Sequence, residues 1–243
     1  FQMRASSAVA RIAGGLSPRQ MSSSSAAQEA YLDADNCLVV DETDRIVGGA
    51  TKRQAHHRST MQLHRAFSVF AFTPDRELIL QKRSATKVTF PSLWTNTCCS
   101  HPLTGMQPDE TDGVGGVLHA AIRKLDHELK LAGVAEDELL FMGRYLYKAA
   151  PPDLEWVEHE LDYALLLRGI DRARVARPND DEVEQVRCVS ERELMAWIKE
   201  EPNSFTPWLR HFASIGVLQK WWAGLADVQQ LQQLRSEDIV KMN

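Results

Sequence analysis

The chain has 243 residues, 44% of them hydrophobic, with a formal net charge of -5, which is enough apolar material for one sizeable domain or two small ones. It carries no long basic run or aromatic-basic stripe of the kind that binds nucleic acid. No apolar stretch approaches the ~20 residues of a membrane-spanning helix, so a soluble protein without a membrane span is expected.

Residues 1–28 contain Arg4, Arg11 and Arg19, many Ser and Ala, and no acidic residue before Glu29. An Arg- and Ser-rich, acid-poor leader has the composition of an organelle transit peptide. Residues 1–34 are therefore read as a transit peptide or flexible leader and 35–243 as the folded domain. A plastid is the expected destination, with mitochondrion or cytosol as the alternative.

The stretches Cys37–Asp41 and Arg45–Gly49 flank Glu42-Thr43-Asp44, a pattern for a hairpin. A polar stretch from Thr51 to Arg58 leads to His64. Residues His64–Phe72 and Glu77–Lys82 are rich in strand formers and are separated by the turn Thr73-Pro74-Asp75. Residues 112–130 are predicted to be a helix with Asp112 as N-cap. Its apolar stripe is Val114, Val117, Leu118, Ala121, Ile122, Leu125 and Leu129, and Glu128 lies off that stripe. Residues 139–149, 158–168 and 183–189 read as strands. Ser190-Glu191-Arg192-Glu193 is a capping box, and Thr206-Pro207-Trp208 opens a last helix. Trp208, Phe212, Ile215 and Trp222 are its predicted core residues. Mixed strands with a few helices imply a single α/β (α+β) domain.

Most of the chemistry is concentrated between Trp94 and Pro102, in the run Trp94-Thr95-Asn96-Thr97-Cys98-Cys99-Ser100-His101-Pro102. Pro91 and Pro102 bracket it, so an extended or turning backbone is predicted. Alternation would put Cys99 and His101 on one face and Ser100 on the other. The four cysteines, Cys37, Cys98, Cys99 and Cys188, form neither a disulfide framework nor a C-x2-C zinc pair, and reduced thiols are expected. Three groups could converge on this stretch: His56 and His64; Glu158 and Glu160, two residues apart and so on one strand face; and the cations Lys52, Arg83 and Lys87. Imidazoles plus carboxylates suit a divalent ion such as Zn, Mn or Fe. The cations suit an anion such as a diphosphate. Each group alone has a plainer reading as a satisfied strand histidine, a solvated acidic pair or surface charge.

Three motifs give these residues a context. His64-Arg65-Ala66-Phe67-Ser68-Val69-Phe70, Thr95 to Pro102, and Trp156-Val157-Glu158-His159-Glu160-Leu161-Asp162-Tyr163 together resemble the type I isopentenyl-diphosphate isomerases, most closely their eukaryotic branch. The similarity runs from about Asp35 to about Trp222. It implies a Nudix-like α/β/α sandwich with a mixed sheet, and interconversion of isopentenyl and dimethylallyl diphosphate. By the same resemblance Cys99 and Glu160 would be the catalytic pair, with Tyr147 beside Glu160. His56, His64, His101, Glu158 and Glu160 would hold the main divalent metal. Lys52, Arg83, Lys87 and Ser100 would contact substrate, with Trp208 and Tyr147 lining the site. Glu128 would help hold Mg2+ at the diphosphate.

The chain departs from the hydrolase pattern of the same superfamily. Arg123-Lys124-Leu125-Asp126-His127-Glu128 has Lys124 where that pattern has Glu, and no full Nudix box is present. His57 is a rival to His56, and His159 should face away from the metal set. The expected partner is a small isoprenoid diphosphate bound by a monomer. Moving an unactivated double bond needs one proton added and another removed on either side of a flat hydrocarbon. Cys99, near ~8.5 when unperturbed, would exchange a proton after a modest shift. The π face of Trp208 would stabilise a tertiary cation. The alternative function is a Nudix-type diphosphate hydrolase.

Overall fold

A computed structural model of the chain describes residues 28–151 and 153–242. The leader composition of residues 1–27 lies outside the described residues. Residues 28–34, also assigned to the leader, are helical; Leu32 is buried. Glu29 and Asp33 of this segment pair with Arg53 at 3.0 and 2.7 Å.

The larger sheet runs through β1 (Asn36–Val40), β2 (Ile46–Thr51), β3 (His64–Ala71), β6 (Cys98–Ser100), β7 (Leu139–Ala149), β8 (Glu158–Leu167) and β10 (Ile239–Met242). Its order is β10-β7-β8-β3-β1-β2, with β6 also paired to β3. A smaller sheet joins β5 (Trp94–Thr95), β4 (Leu78–Arg83) and β9 (Val183–Val189). Strand β3 is buried along its whole length and pairs in parallel with β8. A strand covered on both faces is mostly apolar, and here only His64, Arg65 and Ser68 break the apolar run.

Two helical layers cover the larger sheet. Helix Gly113–Leu129 buries Val117, Ala120, Ala121, Leu125 and Leu129 against Phe67, Val69, Tyr163 and Leu165. On the opposite face Phe70 and Leu166 pack with Phe212 and Trp221 of the helices Pro207–Ser214 and Val217–Gly224. This is an α/β/α sandwich with a mixed sheet.

Several expectations are corrected. Asp112 stands at the N-cap, but its carboxylate makes no capping bond. Helix Pro207–Ser214 is followed by two more, Val217–Gly224 and Val228–Gln233, before β10. Ile215 is 39% exposed, because Gly216 in the left-handed region breaks the helix there; the helix restarts and seats Trp221 in the core instead. The polar stretch after Thr51 contains a one-turn helix, Lys52–His56, closed by a capping box between Thr51 and Gln54.

Candidate active site

The strand registers place most of the sequence-predicted residues on one sheet face. His64 is opposite Glu160 across β3–β8, and Ser68 is opposite Cys99 across β3–β6. Tyr147 is opposite Glu160 and Ala149 opposite Glu158 across β7–β8. Directly paired residues share a face, and the period of two adds their neighbours. One face therefore carries His64, Ser68, Cys99, Tyr147, Glu158, Glu160 and Asp162.

One ligand atom from each of His56, His64, His101 and Glu160 lies within 4.8 Å of the others, and all four residues are buried. Nε2 of His101, His64 and His56 stands 2.9, 3.5 and 3.8 Å from Glu160 Oε1. The Nδ1 atoms of His56 and His64 are each 2.8 Å from a backbone carbonyl, that of Lys52 and that of Gln62. Those carbonyls can only accept, so each Nδ1 carries a proton, and Nε2 is the nitrogen each ring offers as a ligand in its neutral form. Nε2 of both rings is buried without a hydrogen-bond partner. Buried nitrogen lone pairs aimed at a carboxylate are costly unless something binds them. This donor set fits a divalent metal ion. Burial holds the His56 imidazole down to about 4, with the neighbouring His64 adding to it, so it rests in the neutral form a ligand needs.

His56 is turned into the cluster by the last turn of its helix. His57 instead lies 3.1 Å from Glu155 near the surface, so geometry separates the two rivals. Glu158 lies beside the cluster rather than in it, and the Tyr147 hydroxyl donates to Glu160 Oε2 and reaches Glu158 Oε2 at 3.5 Å. Burial and then the Glu160 charge push the Glu158 carboxyl well above its usual range. Burial would raise Glu160 too, but hydrogen bonds from Glu158 and His101 outweigh it and hold Glu160 well below its usual range.

A narrow cleft opens on this face. Cys99, Ser100 and His101 line it with Lys52, Arg83, Lys87, Tyr147, Glu158, Glu160 and Trp208. Ser100 pairs with Phe67, on the other face from the Cys99–Ser68 rung, as the alternation predicts, yet at the end of β6 it still borders the cleft. Arg83 Nη1 is 3.6 Å from the Cys99 sulfur, and its guanidinium carbon sits 5.6 Å from the Trp208 ring centre. The shift on Cys99 is not modest. Burial pushes the thiol up to about 12, with Arg83 only partly offsetting it, so the thiol rests protonated.

Lys52 and Lys87 line the same cleft. Burial and then the charges of Lys87 and Lys124 depress Lys52. Two buried carboxylates face them. Glu128 is 3.0 Å from Lys124 Nζ and 4.0 Å from Lys87 Nζ, and accepts a hydrogen bond from Gln81 at 3.0 Å. Glu182 pairs with Lys87 and lies 3.7 Å from Lys124. Glu128 thus sits in this ion cluster, outside the group of His56, His64, His101 and Glu160, and its carboxylate oxygens are donors of the kind a hard divalent cation takes. Sequence reading missed Glu182 and Gln81 as members and singled out Lys124 without assigning it to the site. The run Asp180-Asp181-Glu182 looks like ordinary surface charge, yet Glu182 is 2% exposed.

The NUDIX domain family matches residues 62–209, more than half of the chain. Isopentenyl-diphosphate Delta-isomerase II, chloroplastic, of Arabidopsis thaliana is 46% identical over 208 residues, covering 81% of this chain and 72% of that protein. Its counterpart I, chloroplastic, from the same plant is 45% identical with the same share of this chain and 70% of its own. Isopentenyl-diphosphate Delta-isomerase I of Camptotheca acuminata is 42% identical over 209 residues, 81% of this chain and 86% of the plant protein. The chain is a NUDIX-superfamily protein. Within that superfamily it belongs to the isopentenyl-diphosphate Delta-isomerase family.

Proposed function

We propose that the chain interconverts isopentenyl and dimethylallyl diphosphate, with Cys99 and Glu160 exchanging the two protons. The observation that carries this reading is one cleft lined by a partly buried thiol, Cys99, a buried carboxylate, Glu160, and the cations Lys52, Arg83 and Lys87. A five-carbon diphosphate suits that lining, with a greasy tail and an anionic head.

Lys52, Arg83 and Lys87 hold the diphosphate and Ser100 hydrogen-bonds it. The tail lies between Cys99 and Glu160. One of them delivers a proton to the terminal alkene carbon, whose π electrons form the new C–H bond and leave a tertiary cation. The other removes a proton from the neighbouring methylene, and that C–H pair becomes the new double bond. The two groups exchange roles with the direction of reaction. Tyr147 orients the proton on Glu160 through its hydroxyl, and the Trp208 π face stabilises the cation between the steps. Burial of the cleft keeps water from capturing the cation.

His56, His64, His101 and Glu160 would hold a divalent ion such as Zn2+, Mn2+ or Fe2+, with Glu158 beside them. Glu128 would hold Mg2+ at the diphosphate. When bound, such ions supply positive charge that stabilises carboxylate and phosphate oxygens. The relatives named chloroplastic support a plastid setting and a transit-peptide role for the leader. Among the described residues no helix is long and apolar enough to cross a membrane. A diphosphate hydrolase is the weaker reading, because Lys124 occupies a Glu position of the hydrolase pattern and is tied to Glu128.

The test is incubation of isopentenyl diphosphate with the protein in D2O. Deuterium-labelled dimethylallyl diphosphate is expected. Phosphate release without labelled product would overturn the reading.

A further inference from the structure

Asn96 takes no part in the chemistry described above, yet it is fully buried and all four of its amide hydrogen-bonding positions are used. Its Nδ2 donates to the backbone oxygens of Cys98 at 2.9 Å and Val69 at 3.1 Å. Its Oδ1 accepts from the Thr95 hydroxyl at 2.8 Å and from the Trp208 indole N–H at 3.0 Å. A reversed amide would set its NH2 against the indole N–H, so the orientation is fixed.

These four bonds join two parts of the site that the backbone does not connect. Cys98 and Val69 are a rung of the β3–β6 ladder, next to the Cys99–Ser68 rung. Trp208 lies in the first turn of helix Pro207–Ser214, more than a hundred residues away. The link is doubled. Thr206, at the N-cap of that helix, makes no capping bond with its side chain. Its hydroxyl instead donates to Thr95 Oγ1 at 2.9 Å, and its N–H donates to the Trp94 carbonyl at 2.9 Å. A cap group diverted from its own helix marks a tie between elements.

We propose that Asn96 is a positioning residue that fixes the Trp208 ring relative to the Cys99 thiol. One rigid amide sets the geometry of the thiol and the π face around a single hydrocarbon tail, with Thr95 and Thr206 as its support. This rests on the reading that Trp208 faces the cationic intermediate. Polar networks with every member satisfied hold one geometry firmly, and reacting groups displaced by an ångström lose rate steeply.

The test uses the full chain carrying Asn96→Ala or Thr95→Val, with circular dichroism to check folding. Thr95→Val is nearly isosteric and removes only the hydroxyl bonds, so it decides the matter if Asn96→Ala fails to fold. Each variant is measured for kcat and KM, and by calorimetry for affinity to two probes. One is inorganic pyrophosphate with Mg2+; the other is a diphosphate whose tail carries a tertiary ammonium in place of the cationic carbon. The expected result is a fall in kcat, on the order of 10²-fold for Asn96→Ala and smaller for Thr95→Val, with KM little changed. Affinity for the ammonium probe should fall about tenfold, while pyrophosphate binds as before. Equal loss for both probes, or unchanged kcat in a folded variant, overturns the proposal. Trp208→Ala separates the two layers. If it keeps full affinity for the ammonium probe, the cation reading fails and this proposal with it. If it loses that affinity while both other variants keep it, only the Asn96 proposal fails.

Discussion

Glu182→Gln probes the ion cluster that sequence reading did not find. Glu182 is buried, pairs with Lys87, and lies 3.7 Å from Lys124 and 3.5 Å from His127. Removing one partner of a buried ion pair costs about 3–5 kcal/mol, because a charge is left uncompensated. Here both lysines keep Glu128, at 4.0 and 3.0 Å, and glutamine keeps some hydrogen bonding. The loss should therefore fall at the low end, about 3 kcal/mol. A domain of this size loses about 2–4 °C per kcal/mol, so Tm should drop by roughly 6–12 °C. The pH dependence has a definite sign. Burial would raise Glu182, but Lys87 and Lys124 outweigh it and hold its carboxyl below the usual range. A depressed carboxyl contributes stability that is fully present above the unfolded value, about 4.3, and is lost as pH falls towards the folded value. The gap between parent and variant should therefore be constant near neutrality and narrow by about 1 kcal/mol over the pH unit below ~4.3. Magnesium pyrophosphate should also narrow it at pH 7, because diphosphate oxygens neutralise the freed lysines. Differential scanning calorimetry at both pH values, with and without pyrophosphate, checks all three. A Tm shift under about 1 °C, well below what one kcal/mol gives, or a gap indifferent to pH and pyrophosphate, would refute the reasoning.

Cys99→Ala and Glu160→Gln should each lower turnover by at least 10²–10⁴-fold, the usual yield of a positioned acid or base, while circular dichroism stays unchanged; near-normal turnover in either removes that residue from the mechanism. His64→Ala removes one of two buried Nε2 lone pairs without a partner, and metal analysis of the purified protein should show reduced divalent-metal content before any assay of activity. Gly116→Ala would drive a Cβ into the Glu110 backbone. Glu110 accepts from Arg123 and from the Leu103 N–H, and Arg123 also reaches the His101 carbonyl at 3.3 Å. Overpacking of this kind costs about 1–3 kcal/mol, read as a lower urea midpoint, and the displaced bracket should weaken metal retention as well.

Local pattern carried much of the fold. The hairpin, β3, β4, β7, β8, β9, helix Gly113–Leu129 and the Ser190 capping box all follow from apolar period, turn residues and caps. The same period of two put Glu158 with Glu160, and Cys99 with His101, on common faces before any register was known. His56 could not be separated from His57 that way. The choice depends on a one-turn helix whose capping box, Thr51 with Gln54, is too short to show as a periodic pattern. Ile215 continued the apolar pattern but lost its place to Trp221 at the Gly216 break.

The sequence by itself determined which side chains are chemically able, and which strand face each belongs to, because those depend on residue type and local backbone period. Only the tertiary structure decided which of them meet. The β3–β8 register brings His64 to Glu160, a loop closes Glu182 onto Lys87, and Asn96 ties the thiol strand to a tryptophan from a distant helix. Such contacts join residues about a hundred positions apart. They are selected by packing of the whole sheet and its two helical layers, which no local stretch encodes.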